Sequence, residues 1–243
     1  MTFLNIAAYK FITLTELAGL RLTLKSLAEE NQLRGTILLS KEGINLMLTG
    51  LPESIINFKN SLGQDIRFAD LTYKESTADE QTYNRLLVKI KKEIIAFGIP
   101  SVNVIHQKAP YLEPRELKKW LDEKKDIVFL DARNTYEVEA GTFTQAAHLN
   151  IQHFRDFPEA AKNLALNLKE KTVVTFCTGG IRCEKAALLL QHYGFKHVYQ
   201  LEGGILNYFA ACGSAHFEGK CFVFDKRTSL TARQILQGDS HVS

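Results

Sequence analysis

Four cysteines are scattered over 243 residues, and no two of them form a Cys-x-x-Cys pair. That argues against a disulfide-stapled secreted domain and predicts a reduced, cytoplasmic setting. Long apolar runs are missing too, which excludes a transmembrane helix and predicts no membrane partner. The first ten residues, Met1 to Lys10, have neither a basic lead nor a long apolar core, so they do not read as a signal peptide. Prolines number only five, and no repeat or low-complexity segment occurs, so nothing marks a long disordered region. Net charge is just +3, which permits a nucleic-acid partner without demanding one. What remains is a globular chain, 45% hydrophobic, long enough for one large domain or two ordinary ones.

The hydrophobic periodicity changes along the chain. Residues 1–95 predict a strand over 3–9 and a helix over 14–30, whose leucines recur at helical spacing. Strands over 35–40 and 44–49 flank the turn Lys41-Glu42-Gly43 and make a hairpin. A helix opens at Pro52, and strands follow over 66–68 and 85–95. The order β-α-β-β-α-β predicts a ferredoxin-like (acylphosphatase-like) α+β domain. Residues 96–112, with Gly98, Pro100 and Pro110, read as a linker. Residues 113–212 alternate buried strands with helices and predict a parallel α/β domain. Residues 213–243 form a C-terminal extension with one strand over 221–225.

One segment carries the chemistry. Cys177-Thr178-Gly179-Gly180-Ile181-Arg182 follows the apolar run Thr172 to Phe176 and precedes the helical stretch Glu184 to Leu190. A cysteine therefore sits where a buried strand turns into a helix. Two glycines let backbone N–H groups curl around the sulfur, and the helix N-terminus favours thiolate over thiol. Cys–Arg protein phosphatases place five residues between the two. Here four separate Cys177 from Arg182, a smaller cradle that suits a sulfur atom better than a tetrahedral phosphate.

Around this loop the sequence resembles the rhodanese domain family. Asp131-Ala132-Arg133 with Tyr136-Glu137, Gly141-Thr142-Phe143, Ala146 to Asn150 and Leu201-Glu202-Gly203-Gly204-Ile205 follow that family's motifs in order. Thr142 stands where the family usually has His, and Ala146 where it usually has Gly. A narrower resemblance spans nearly the whole chain. Cys177 to Ala186, Phe222-Val223-Phe224-Asp225, Ser40 to Asn45 and Val88 to Ile94 resemble the rhodanese-type tRNA wobble-uridine hydroxylases. That resemblance implies a tRNA-modifying oxidoreductase that forms 5-hydroxyuridine, with an essential loop cysteine, molecular oxygen as co-substrate, no other cofactor and tRNA as partner. Longer members of that family carry a cysteine-rich tail after the Phe-Val-Phe-Asp strand, and this chain stops soon after it.

Roles follow residue by residue. Cys177 is the expected nucleophile, as thiolate or persulfide, with the backbone of Thr178, Gly179, Gly180, Ile181 and Arg182 holding its charge. Arg182 is counted with Cys177 as catalytic; it either binds an anion or braces the loop. Asp131 and Arg133 support the site, either beside the reacting face or as a salt bridge that fixes the loop. Cys183 is either a resolving thiol or a small residue packed at a helix start. Lys89 and Lys91 share one face of a predicted strand, and Lys41 lies in the hairpin turn. They either track tRNA phosphates or are ordinary solvated residues. Cys212, Cys221 and His216 lack a fourth ligand and a regular spacing, so no metal is expected. The competing reading is a thiosulfate or persulfide sulfurtransferase, which the rhodanese motifs alone would support. A non-catalytic binding module is disfavoured because Cys177 is present.

Overall fold

The computed structural model describes residues 2–164 and 166–235, which fall into two compact units. The first holds residues 2–95 together with Phe224–Arg227 and residues 234–235. The second holds Ala96–Val223 and Thr228–Arg233. The last part of the expected extension, 236–243, lies outside the described residues.

The first unit runs β1 (Phe3–Phe11), α1 (Leu17–Glu30), β2 (Arg34–Ser40), β3 (Gly43–Gly50), α2 (Pro52–Gly63), β4 (Lys74–Ala78) and β5 (Leu86–Ile90). Its sheet order is β4-β1-β3-β2-β5, antiparallel except where β5 runs parallel to β2. The first four strands and two helices make the expected ferredoxin-like pattern, with β5 added at an edge. Leu20, Leu24 and Ala28 of α1 recur every four residues and are buried with Ile55, Phe58 and Leu62 of α2. Both helices thereby bury one stripe in a core shared with Ile37, Leu39, Leu46 and Leu48 of the sheet.

Two expected strands differ. Residues 66–68 are a turn, because the Asp65 carboxylate accepts hydrogen bonds from the Arg67 N–H (3.0 Å) and from its guanidinium (2.9 Å to Nε). That local capture competes with strand pairing. The strand that closes this edge is β4, whose sequence Lys-Glu-Ser-Thr-Ala carries no apolar alternation. The strand expected over 85–95 ends at Ile90. Beyond it the Ile94 N–H donates to Glu42 Oε1 (2.8 Å) and the Ile94 carbonyl accepts from Asn45 Nδ2 (3.1 Å), so side chains replace the ladder there.

The second unit runs β6 (Tyr111–Leu112), α3 (Pro114–Asp122), β7 (Ile127–Asp131), α4 (Thr135–Ala140), β8 (Gly141–Phe143), β9 (Ala147–His148), α5 (Phe157–Lys162), β10 (Thr172–Phe176), α6 (Ile181–His192), β11 (His197–Leu201) and α7 (Gly204–Cys212). Three short strands follow: β12 (Phe217–Gly219), β13 (Cys221–Phe222) and β14 (Ser229–Leu230). The main sheet, β6-β11-β10-β7-β9, is parallel throughout, with β10 at its centre. Residues 96–112, read above as a linker, are packed inside this unit. Phe97, Val102, Val104 and Ala109 are buried, and Phe97 stacks on Phe154 with ring centroids 5.0 Å apart. Apolar residues between the prolines and glycines therefore give this stretch a core of its own. The extension does not form one strand over 221–225. β13 stops at Phe222, and the Asp225 carboxylate turns the chain by accepting from the Arg227 N–H (2.9 Å).

Candidate active site

Cys177 is the first residue after β10, the central strand, and is fully buried. Strands of a parallel sheet end at one edge, and ligands of open α/β sheets bind there. Phe176 at the end of β10 is in register with Asp131 at the end of β7, so the Asp131 segment and the Cys177 loop meet at that edge.

The loop is held from two sides. On the α6 side, Gly180 adopts φ +97°, a conformation costly for any side chain, and its N–H points to Cys177 Sγ at 3.2 Å. The Arg182 charge and backbone N–H also favour the anion on that sulfur. On the α7 side, the Ile205 N–H donates to the Cys177 carbonyl (2.9 Å) and the Leu206 N–H to the Thr178 carbonyl (3.0 Å). Gly204 sits so close beneath the loop that a β-carbon there would lie 2.4 Å from the Cys177 carbonyl oxygen. The Leu201–Ile205 motif thus places the N-terminus of α7 under the loop. Thr178, Gly179 and Ile181 are partly exposed and form its rim. The Thr178 hydroxyl lies 3.4 Å from the Phe222 carbonyl of β13. Phe222 meets the exposed Tyr136 ring edge-to-face at 5.2 Å.

These contacts set the charge on sulfur. Burial pushes the Cys177 thiol up, but the Cys183 hydrogen bond, the Arg182 charge and the N–H groups of Arg182 and Gly180 outweigh it. The thiol ionises at about 6. Cys183 is also fully buried, in the first turn of α6, and its pKa is driven well above the ordinary range by burial and by the neighbouring Cys177 charge. The shifts run in opposite directions, so Cys177 is the thiol of the two that ionises first.

Of the two roles open to Arg182, the geometry matches bracing of the loop. Its two terminal nitrogens are bound by Glu137, Nη1 to Oε1 at 2.5 Å and Nη2 to Oε2 at 2.7 Å, and both side chains are buried. Arg182 is a positioning residue that acts through its charge and its backbone N–H. A second ion pair, this one fully desolvated, joins Asp131 and Arg133. Arg133 Nη2 meets Asp131 Oδ2 at 2.6 Å, and the same nitrogen donates to the Gly141 carbonyl at 2.7 Å. Thr142 donates to Asp131 Oδ2 at 2.8 Å. Asp131 and Arg133 are therefore the salt bridge that fixes the strand end.

Glu137 lies in a motif noted above, but motif reading gives it no role. It bridges α4 to α6, and it also accepts from the Asn134 N–H (3.2 Å), which ties it to the start of α4. The signal available was its place in the Asp131 to Glu137 segment; the partner is 45 residues away.

Lys41, Lys89 and Lys91 belong to the first unit and are exposed. Lys89 is in register with Leu38, the Lys91 N–H donates to the Leu39 carbonyl (2.7 Å), and Lys41 follows the end of β2. The β2–β5 pairing thus gathers all three at one end of neighbouring strands. Among the described residues no cluster of His, Cys, Asp or Glu fit to hold a metal ion occurs, and no helix is long and apolar enough to cross a membrane.

Two family models match the chain: a UPF0176 acylphosphatase-like domain over residues 3–94 and a rhodanese-like domain over residues 113–211. A tRNA uridine(34) hydroxylase of Cupriavidus pinatubonensis is 48% identical over 95% of this chain and 83% of its own length. One from Ralstonia nicotianae is 48% identical over 98% of this chain and 86% of its own. The solution structure of a rhodanese-like domain from Anabaena is 25% identical over 45% of this chain and 79% of its own, with a TM-score of 0.38. With both domains matched and relatives at 48% identity covering nearly the whole chain, the chain belongs to the tRNA uridine(34) hydroxylase family.

Proposed function

We propose that this protein hydroxylates uridine 34 of tRNA to 5-hydroxyuridine, with dioxygen as co-substrate and Cys177 as the nucleophile. The observation that carries the reading is the buried Cys177 sulfur with the Gly180 N–H aimed at it (3.2 Å), in a chain of this family. A pyrimidine C5 is a poor nucleophile until an anion adds at C6. Thiolate addition at C6 makes C5 an enolate-like carbon, which then bonds to oxygen. The N–H groups of Gly180 and Arg182 hold the thiolate before addition and receive it again when it leaves.

Lys41, Lys89 and Lys91 supply phosphate contacts for the tRNA backbone. Their support is their exposure and their common location at the β2–β5 edge. Phosphate contacts position a nucleic acid without reading its sequence.

The test is nucleoside mass analysis of tRNA lacking the modification, incubated with enzyme in the presence and absence of oxygen. 5-Hydroxyuridine in oxygen, with none from Cys177→Ala, is expected. Thiocyanate from thiosulfate and cyanide with unmodified tRNA would instead establish a sulfurtransferase.

A further inference from the structure

Cys183 is a nucleophile-bearing residue that the chemistry above leaves idle. It is fully buried in the first turn of α6, and its N–H donates to the Gly180 carbonyl (3.0 Å) in the same turn that cradles Cys177. Gly180 thereby ties the two cysteines together: its carbonyl accepts from Cys183 and its own N–H points to Cys177 Sγ at 3.2 Å, with both sulfurs buried. A buried position of this size accepts Ala or Ser without placing a second oxidisable sulfur against a reactive one. Cys221 is also buried, but its thiol donates to the Phe222 carbonyl at 3.7 Å. Cys183, by contrast, shares the Gly180 turn with Cys177.

Hydroxylation by dioxygen has an electron deficit. Reducing O2 to one hydroxyl group and one water takes four electrons, and the C5–H bond supplies two. We propose that Cys177 and Cys183 supply the other two, so that each turnover ends as a Cys177–Cys183 disulfide. This rests on the oxygen-dependent reading above.

The steps balance. The Cys177–C6 bond forms, C5 bonds to O2, and a proton completes a C5 hydroperoxide. The Cys183 sulfur attacks its distal oxygen: the O–O bond breaks, an S–O bond forms, C5 keeps a hydroxyl, and Cys183 becomes a sulfenic acid. Loss of the C5 proton breaks the C6–S bond and releases 5-hydroxyuridine and the Cys177 thiolate. That thiolate attacks the Cys183 sulfur; an S–S bond forms, the S–O bond breaks, and the hydroxide leaves as water. In sum, uridine, O2 and two thiols give 5-hydroxyuridine, water and one disulfide. A cellular dithiol then reduces the disulfide for the next turnover.

The test uses the full chain, reduced and then freed of reductant, mixed with unmodified tRNA in oxygenated buffer, then acid-quenched and alkylated. Arg182 separates the two cysteines, so trypsin yields two peptides joined only through the disulfide. Production of 5-hydroxyuridine should stop at one per chain, with one Cys177–Cys183 disulfide for each, and resume when dithiothreitol is added. Without tRNA both thiols should stay free over the same interval. Cys183→Ser should lose multiple-turnover activity with dithiothreitol present while tRNA affinity is unchanged, and Cys212→Ser should behave as wild type. The proposal is overturned by 5-hydroxyuridine with both thiols free, by a Cys177–Cys221 disulfide instead, or by full multiple turnover in Cys183→Ser. No 5-hydroxyuridine from the wild type in oxygen would overturn the parent reading as well.

Discussion

Glu137 and Arg182 face each other through two parallel hydrogen bonds of 2.5 and 2.7 Å in a site where both side chains are buried. The pair joins α4 to α6 and keeps a positive charge beside Cys177. Glu137→Gln leaves that guanidinium buried without its counter-charge. The expected loss is about 3–5 kcal/mol of stability, read from the denaturant midpoint. A change under about 0.5 kcal/mol, the range of ordinary surface substitutions, would contradict the assignment.

The charge on Cys177 can be followed directly. Thiolate ultraviolet absorbance, taken as wild type minus Cys177→Ser, should rise with pH through a midpoint at about 6. The sign follows from the contacts: Arg182, Cys183 and the loop N–H groups favour the anion, so its population grows above that pH and is lost below it. Arg182→Met removes the charge and leaves burial unopposed by it, so the midpoint must move up. A wild-type midpoint at the free-thiol value of about 8.5 would remove the anion cradle from the account.

Gly204 is a packing requirement rather than a flexible joint. It has φ +68°, and a β-carbon would meet the Cys177 carbonyl oxygen at 2.4 Å and the Gly180 nitrogen at 2.7 Å. All of these are backbone atoms of the loop, so no side chain can swing away to relieve the clash. Gly204→Ala should cost at least about 2 kcal/mol and abolish 5-hydroxyuridine formation. Gly63, which has open space around its Cα, should tolerate Ala with full activity. Equal activity in the two variants would mean that α7 does not hold the loop.

The lysines separate binding from chemistry. Replacing Lys41, Lys89 and Lys91 together by Ala should weaken tRNA binding and reduce the slope of log affinity against log salt by about 2–3. The rate at saturating tRNA should be unchanged. An unaltered salt slope would return these residues to the ordinary solvated surface.

Features that are local in sequence were the legible ones. The strand, two glycines and helix around Cys177 predicted the cradle, because all its parts lie within a dozen residues. The Asp131–Arg133 pair was open to the same reading: its carboxylate reaches the N–H and guanidinium two residues on. Asp65–Arg67 and Asp225–Arg227 form the same local turn, and each ended a segment expected to be a strand. Glu137 was not legible as the partner of Arg182, because that pairing depends on how α4 packs against α6. The role of Gly204 likewise depends on α7 meeting the Cys177 loop, which lies well before it in the chain. β4 was missed because an edge strand with a polar sequence shows no period of two.

The central claim is that Cys177 carries oxygen-dependent hydroxylation of uridine 34. Its most direct test is mass analysis of nucleosides from unmodified tRNA incubated with wild-type or Cys177→Ala protein under 18O2. Wild type is predicted to form 5-hydroxyuridine bearing one 18O atom, and the variant none. Product carrying oxygen from water, or equal product from the variant, would contradict the account.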